Sequence, residues 1–182
     1  MPELPEVEVT RLGLQPHVEG RRLEGARVRE ARLRWPVPDG LDAAVAGRRV
    51  AAVRRRAKYL VLALDPGGSL LIHLGMSGSL RVVPAATPPQ AHDHVDLLLD
   101  NATALRLRDP RRFGAILWTE APPETHPRLA GLGPEPLDPA FTGEHLYRRS
   151  RGRTASVKAF LMDAMVVVGI GNIYASEALF RA

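Results

Sequence analysis

Apolar and polar positions change rhythm twice along the chain. Leu4, Val7, Leu14 and Val18 share one face at helical spacing, which predicts an amphipathic helix over residues 5–18. Pro5 suits the first turn of such a helix, and Glu6 and Glu8 suit its positive end. From Leu23 to Trp118 the pattern becomes one of short strands. They are predicted at Arg27–Leu33, Arg49–Arg54, Tyr59–Leu64, Leu70–Leu74, Ser79–Val83, Val95–Asp100, Ala104–Leu107 and Ala115–Thr119. Turn-rich joints such as Asp65-Pro66-Gly67-Gly68 and Asp100-Asn101 separate them, which argues for a sandwich or barrel. Leu132–Pro139 holds three prolines and a glycine and reads as a linker. Beyond it the texture is helical, over residues 142–150, Ser156–Ala164 and Tyr174–Arg181, with a tight turn at Gly169-Ile170-Gly171-Asn172. The fold class is therefore α+β. The chain stops at Arg181-Ala182 inside the last helical pattern with no capping residue, and is expected to be a truncated one.

The 182 residues suffice for one full domain and part of a second. Their net charge of +5 favours a polyanionic partner, most simply nucleic acid, although a merely basic protein has the same count. Two of the 25 basic residues, Lys58 and Lys158, are lysines. Where arginine is so strongly preferred, a lysine marks a position that wants a compact, titratable ammonium. The absence of cysteine excludes disulfides and thiolate-bound zinc within these residues. No apolar run reaches membrane-spanning length, and Glu3, Glu6 and Glu8 are unlike a secretory signal, so a soluble, cytoplasmic protein is expected.

The chemistry begins at the amine. Removal of Met1 exposes the secondary amine of Pro2, and an α-amino group is roughly 10% neutral at pH 7 against about 0.04% for a lysine. Condensation with a sugar aldehyde carbon gives an iminium that is cationic without further protonation, which acidifies the neighbouring C2′ proton. Glu3 stands next to it as a proton shuttle. Taken alone, the same residues also describe an ordinary helix start. His92 and His94 alternate as on a strand, but no further ligand is patterned with them and no metal site is read there.

Seven motifs in order carry a resemblance. They are Met1-Pro2-Glu3-Leu4-Pro5-Glu6-Val7-Glu8, residues 55–60 (RRAKYL), 73–81 (HLGMSGSLR), 92–96 (HDHVD), 109–114 (DPRRFG), 133–137 (GPEPL) and 169–177 (GIGNIYASE). Together they resemble the bacterial formamidopyrimidine-DNA glycosylase and endonuclease VIII family. The resemblance implies an N-terminal catalytic β-sandwich with flanking helices over 1–132, a linker over 133–141 and a partial helix-two-turns-helix unit over 142–182. It implies Pro2 as Schiff-base nucleophile, Glu3 as general acid and Lys58 as proton donor in β-elimination. His73, His92, Arg111, Arg153, Lys158 and Asn172 would contact DNA, with Asn172 capping a helix whose glycine-linked amides receive phosphate. Met76, Arg111 and Phe113 match the trio that fills the space left by a flipped nucleotide.

The implied activity is excision of oxidised purines, 8-oxoguanine and formamidopyrimidines, from damaged double-stranded DNA by a monomer, followed by β,δ-elimination. The alternatives are a catalytically impaired DNA-binding fragment and the oxidised-pyrimidine specificity of the endonuclease VIII branch. No other cofactor is implied, but full-length members carry one structural zinc on four cysteines. That finger is absent here, together with a lesion-covering loop and an arginine that assists δ-elimination. Without them the apolar face of Ile173–Phe180 is expected to be exposed.

Overall fold

A computed structural model describes residues 2–182. Helix α1 (Leu4–Val18) opens with Pro5 in its first turn, and Glu6 Oε2 accepts the Glu3 amide at 2.9 Å. Its buried residues are Val7, Leu14 and Val18, so three of the four predicted apolar positions face the core and Leu4 is half-buried.

Eight strands follow: β1 (Leu23–Val28), β2 (Arg49–Arg56), β3 (Tyr59–Asp65), β4 (Ser69–His73), β5 (Ser79–Pro84), β6 (Asp93–Leu99), β7 (Thr103–Arg108) and β8 (Ala115–Thr119). They form two antiparallel four-stranded sheets, ordered β1-β6-β7-β5 and β2-β3-β4-β8. The two sheets pack as a sandwich. Alternate residues Leu60, Leu62 and Leu64 of β3 and Leu70 and Ile72 of β4 meet Val95, Leu97, Leu105 and Leu107 of the facing sheet, all buried. The outer face of the second sheet is also covered, because Tyr59, Val61 and Leu71 pack against Leu129 from the segment after β8.

Most strand ends fall within two residues of their predicted positions, but the first strand is displaced. The first strand spans Leu23–Val28 rather than Arg27–Leu33, because Leu23 pairs with Leu99 and the chain leaves the sheet after Val28. Leu33 is still buried, but from an irregular segment that also buries Val37, which imitated strand alternation. A five-residue helix α2 (Leu41–Val45), too short to show periodicity, closes that segment.

The linker is folded rather than loose. Gly133 N donates to Ala164 O at 2.8 Å and Val168 N to Pro134 O at 3.1 Å. Glu135 accepts from the Ala57 amide, Arg55 and Arg56 at 2.6–2.9 Å. Burial works to raise the Glu135 pKa, but these donors outweigh it and hold the carboxyl below its ordinary range. Three helices complete the chain: α3 (Gly143–Ser150), α4 (Val157–Leu161) and α5 (Asn172–Arg181). The side chains of Thr142 and Ser156 cap the first two. The middle helix is shorter than the predicted Ser156–Ala164, since Met162 ends it and Asp163 accepts the amides of Val166 and Val167 through its carbonyl. Phe160, Val166 and Val167 form the small core of this part, with Phe141, Leu146 and Ile170 against it.

Candidate active site

The N-terminal strand of chain lies along the Gly169–Gly171 turn, with Leu4 N donating to Gly169 O at 3.1 Å. This places Glu3 under the start of α5, where its side chain is 1% exposed. Glu3 Oε2 accepts the amides of Gly171 (2.8 Å) and Tyr174 (3.2 Å), and Oε1 accepts that of Ile173 (2.9 Å). A carboxylate thus satisfies the unpaired donors at the positive end of a helix that has no side-chain cap of its own. Two expectations change. The N-cap is Gly171, not Asn172, and the amides read as a phosphate seat are already occupied by Glu3. Asn172 keeps an exposed side chain at the first helical position.

Lys58 occupies the turn between β2 and β3, and its Nζ donates to Ile170 O at 3.4 Å. Burial lowers its pKa, and the negative charges of Glu3 and Glu6 only partly oppose that. Pro2, half-buried, directly precedes Glu3, and its nitrogen becomes a secondary amine only when Met1 is removed.

His73 ends β4, pairs with Tyr59, and lies edge-on to its ring at 4.8 Å. Burial, followed by the charges of Arg34 and Lys58, pushes its pKa down to about 4, so the imidazole is neutral at pH 7. Its Nδ1 accepts from Gly75 N at 2.9 Å, which leaves the proton on Nε2 as a donor. His73 shares a small pocket with Lys58, Gly169 and Ile170, and also lines a larger cleft of about 810 Å³.

That cleft brings together Met76, Arg111 and Phe113, with Arg32, Arg34 and Arg112 around them. Met76 is 40% and Phe113 42% exposed, unusual for large apolar side chains beside a packed sandwich. The Arg111 guanidinium lies 4.8 Å from the centre of the Phe113 ring. Two loops are clipped together to present the trio. Asp109, fully buried, accepts Ser77 Oγ and the Gly114 amide, each at 2.7 Å, and Ser77 Oγ in turn accepts the Arg111 amide at 3.2 Å. Gly75 is required where they touch: its φ is +63°, and a Cβ would lie 2.4 Å from the Phe113 carbonyl carbon.

The remaining predicted residues lie outside these two sites. His92 has φ +72° and is exposed, whereas His94 is buried with Nε2 on Asp109 O at 2.8 Å, so the two do not share a strand face. The His92 carbonyl accepts the Asp109 amide, placing this residue behind the 110–113 loop. Arg153 is paired with Asp163 at 2.8 Å, and Lys158 is half-buried on α4. Asp109, Ser77 and Glu135 also shape the site through buried or half-buried hydrogen bonds. An Asp-Pro turn between strand and loop was the available signal for Asp109.

The model of the formamidopyrimidine-DNA glycosylase N-terminal domain matches residues 1–116, and that of the family's H2TH domain matches residues 132–182. The chain belongs to the formamidopyrimidine-DNA glycosylase family, whose members combine glycosylase and abasic-site lyase activity. It is 61% identical over 182 residues to the formamidopyrimidine-DNA glycosylase of Methylococcus capsulatus, covering all of this chain and 67% of that protein. The MutM (Fpg) structure from Thermus thermophilus superposes with a TM-score of 0.85 at 39% identity, covering 99% of this chain and 64% of that one. The Lactococcus lactis enzyme bound to DNA containing an abasic site gives 0.88 at 28% identity, covering 97% and 68%. Another structure of it holds Fapy-dG DNA. The chain thus spans about two thirds of the relatives' length. The chain includes no cysteine.

Proposed function

We propose that this chain excises oxidised purines, 8-oxoguanine and formamidopyrimidines, from double-stranded DNA and cleaves the resulting abasic site. The Pro2 nitrogen, freed of Met1, attacks C1′ of the extruded nucleotide and the C1′–base bond breaks. Glu3 delivers the proton that opens the deoxyribose ring. The iminium then loses its C2′ proton and the 3′ phosphate departs, with Lys58 as the proton donor; a second elimination releases the 5′ phosphate. His73 and Asn172 hold the phosphates around the lesion, and His92, Arg153 and Lys158 contact the flanking backbone. Met76, Arg111 and Phe113 fill the vacated stack and face the orphaned base. A DNA substrate puts this work in the cytoplasm of a bacterium, on the nucleoid.

The single observation that carries this reading is the Glu3 carboxylate, buried beside Pro2 and aimed by three amides of the helix that follows the glycine turn. Burying a carboxylate is costly unless it is fully hydrogen-bonded, and here it adjoins the residue whose nitrogen becomes a secondary amine once Met1 is removed. The named relatives are formamidopyrimidine-DNA glycosylases, which favours the purine branch over endonuclease VIII specificity. Borohydride trapping on abasic-site duplex tests the reading. A covalent adduct is expected, and it should vanish in Pro2→Gly and in protein that retains Met1. Salt-sensitive DNA binding with no adduct from the parent chain would instead mean a binding fragment.

A further inference from the structure

Several arginines of the sandwich are spoken for. Arg11, Arg29, Arg49, Arg55, Arg56 and Arg106 each have a carboxylate partner. Arg34 and Arg128 have none among the described residues, and both are exposed. They nevertheless converge on one side chain. The Arg34 guanidinium lies 4.8 Å, and that of Arg128 4.0 Å, from the centre of the Trp35 ring. An indole attracts each cation but does nothing to relieve their mutual repulsion. Two unpaired guanidiniums drawn to one surface make a site for an anion.

The fold fixes this pair from both ends. Arg34 N donates to Gly114 O at 3.0 Å, which ties it to the loop carrying Arg111 and Phe113, and Arg34 lines the same cleft as His73 and Met76. Arg128 precedes Leu129, which is buried against Tyr59, Val61 and Leu71. Tyr59 in turn stands against His73. The pair therefore stands on the rim of the lesion cleft, where a polyanion threading past the wedge would run. A guanidinium fork matches phosphate oxygens, and contact with the Trp35 ring orients each fork.

We propose that Arg34 and Arg128, both laid against Trp35, bind a backbone phosphate of the DNA beside the lesion cleft. The site rests on the glycosylase reading for its ligand, and it adds a positioning contact that pins the segment before the linker to the duplex. Such a contact carries no base information, so it acts alike on damaged and undamaged duplex.

The test is the salt dependence of duplex binding by Arg34→Gln/Arg128→Gln, set against Arg21→Gln. Arg21 is an exposed arginine of the turn before β1, at the other end of the sandwich. Loss of one phosphate contact lowers the slope of log K against log salt by about 0.9, equivalent to roughly eightfold weaker binding at 0.1 M salt. That loss is expected on abasic and undamaged duplexes equally, with Arg21→Gln near the parent. As a second measurement, Trp35 emission in a Trp118→Phe background should change on addition of duplex. A double variant whose slope matches Arg21→Gln, or a loss confined to the abasic duplex, overturns the proposal. Absence of a borohydride adduct from the parent would refute the glycosylase reading without touching this slope.

Discussion

Gly171→Ala adds one methyl group, and its target is the carboxylate of Glu3. The backbone there has φ −114° and ψ −163°, an extended conformation open to alanine, so the substitution carries no backbone strain. A Cβ at this position would lie 2.4 Å from Glu3 Cδ and 2.6 Å from Oε1. Relief to ordinary contact requires a shift of about 1 Å, which pulls the carboxylate off amides now at 2.8–3.2 Å. A hydrogen bond to a charged group contributes about 1.5–3 kcal/mol, so losing one or two of the three destabilises the docking of α5 by about 2–4 kcal/mol. For chemistry, a 1 Å misplacement of a reacting group is worth roughly 100-fold in rate. Single-turnover base release should therefore fall by about that factor, and borohydride trapping on preformed abasic DNA much less. Hydrogen exchange at the Ile173 and Tyr174 amides should accelerate. Gly143→Ala is the control, because a Cβ there meets nothing within 4 Å. A Gly171→Ala protein that excises at the parent rate with unchanged amide protection would refute the role given to the carboxylate.

Other perturbations address the remaining parts. His73 is held near pKa 4 in the fold against an ordinary 6.5, so the unfolded chain takes up the proton first as pH falls. The native state should be most stable above pH 6.5 and lose up to about 3 kcal/mol between pH 6.5 and 4. Denaturant titrations of the parent and of His73→Asn at pH 7 and 4.5 should show that pH dependence only in the parent. Phe113→Ala, at a side chain 42% exposed, should cost little stability but impair base release from intact lesions more than cleavage of abasic DNA. Equal losses on both substrates would rule out the wedge. Asp109→Ala leaves the buried Gly114 amide without its acceptor and frees Ser77, so thermal unfolding should show a loss of about 2–4 kcal/mol. Retained stability would mean that the two loops are held by something else.

Strands with one face on the core were legible because alternation survives wherever the opposite face meets solvent. β2 and β5 show that alternation, while β3 and β8 start where predicted although their first residues are buried, because short apolar runs of strand length were legible as well. The first strand was displaced because Leu33 and Val37 are buried from a segment without regular geometry, and apolarity alone does not distinguish the two. At the site, Pro2, Glu3 and Lys58 could be named from chemical type and from the resemblance. The seat of Glu3 could not, since its partners lie 168–171 positions further on and contribute only backbone amides, which no residue letter encodes. Asn172 misled for the same reason: a good capping residue stood one position inside a helix already capped from a distance.

The bond between residues 3 and 171 also sets an order of events during synthesis. The amine end leaves the ribosome first, yet its neighbouring acid has no fixed orientation until some 170 later residues have emerged and the glycine turn has wrapped beneath it. Imine formation thus needs only the start of the chain, whereas ring opening by a fixed Glu3 waits until the glycine turn has folded against it.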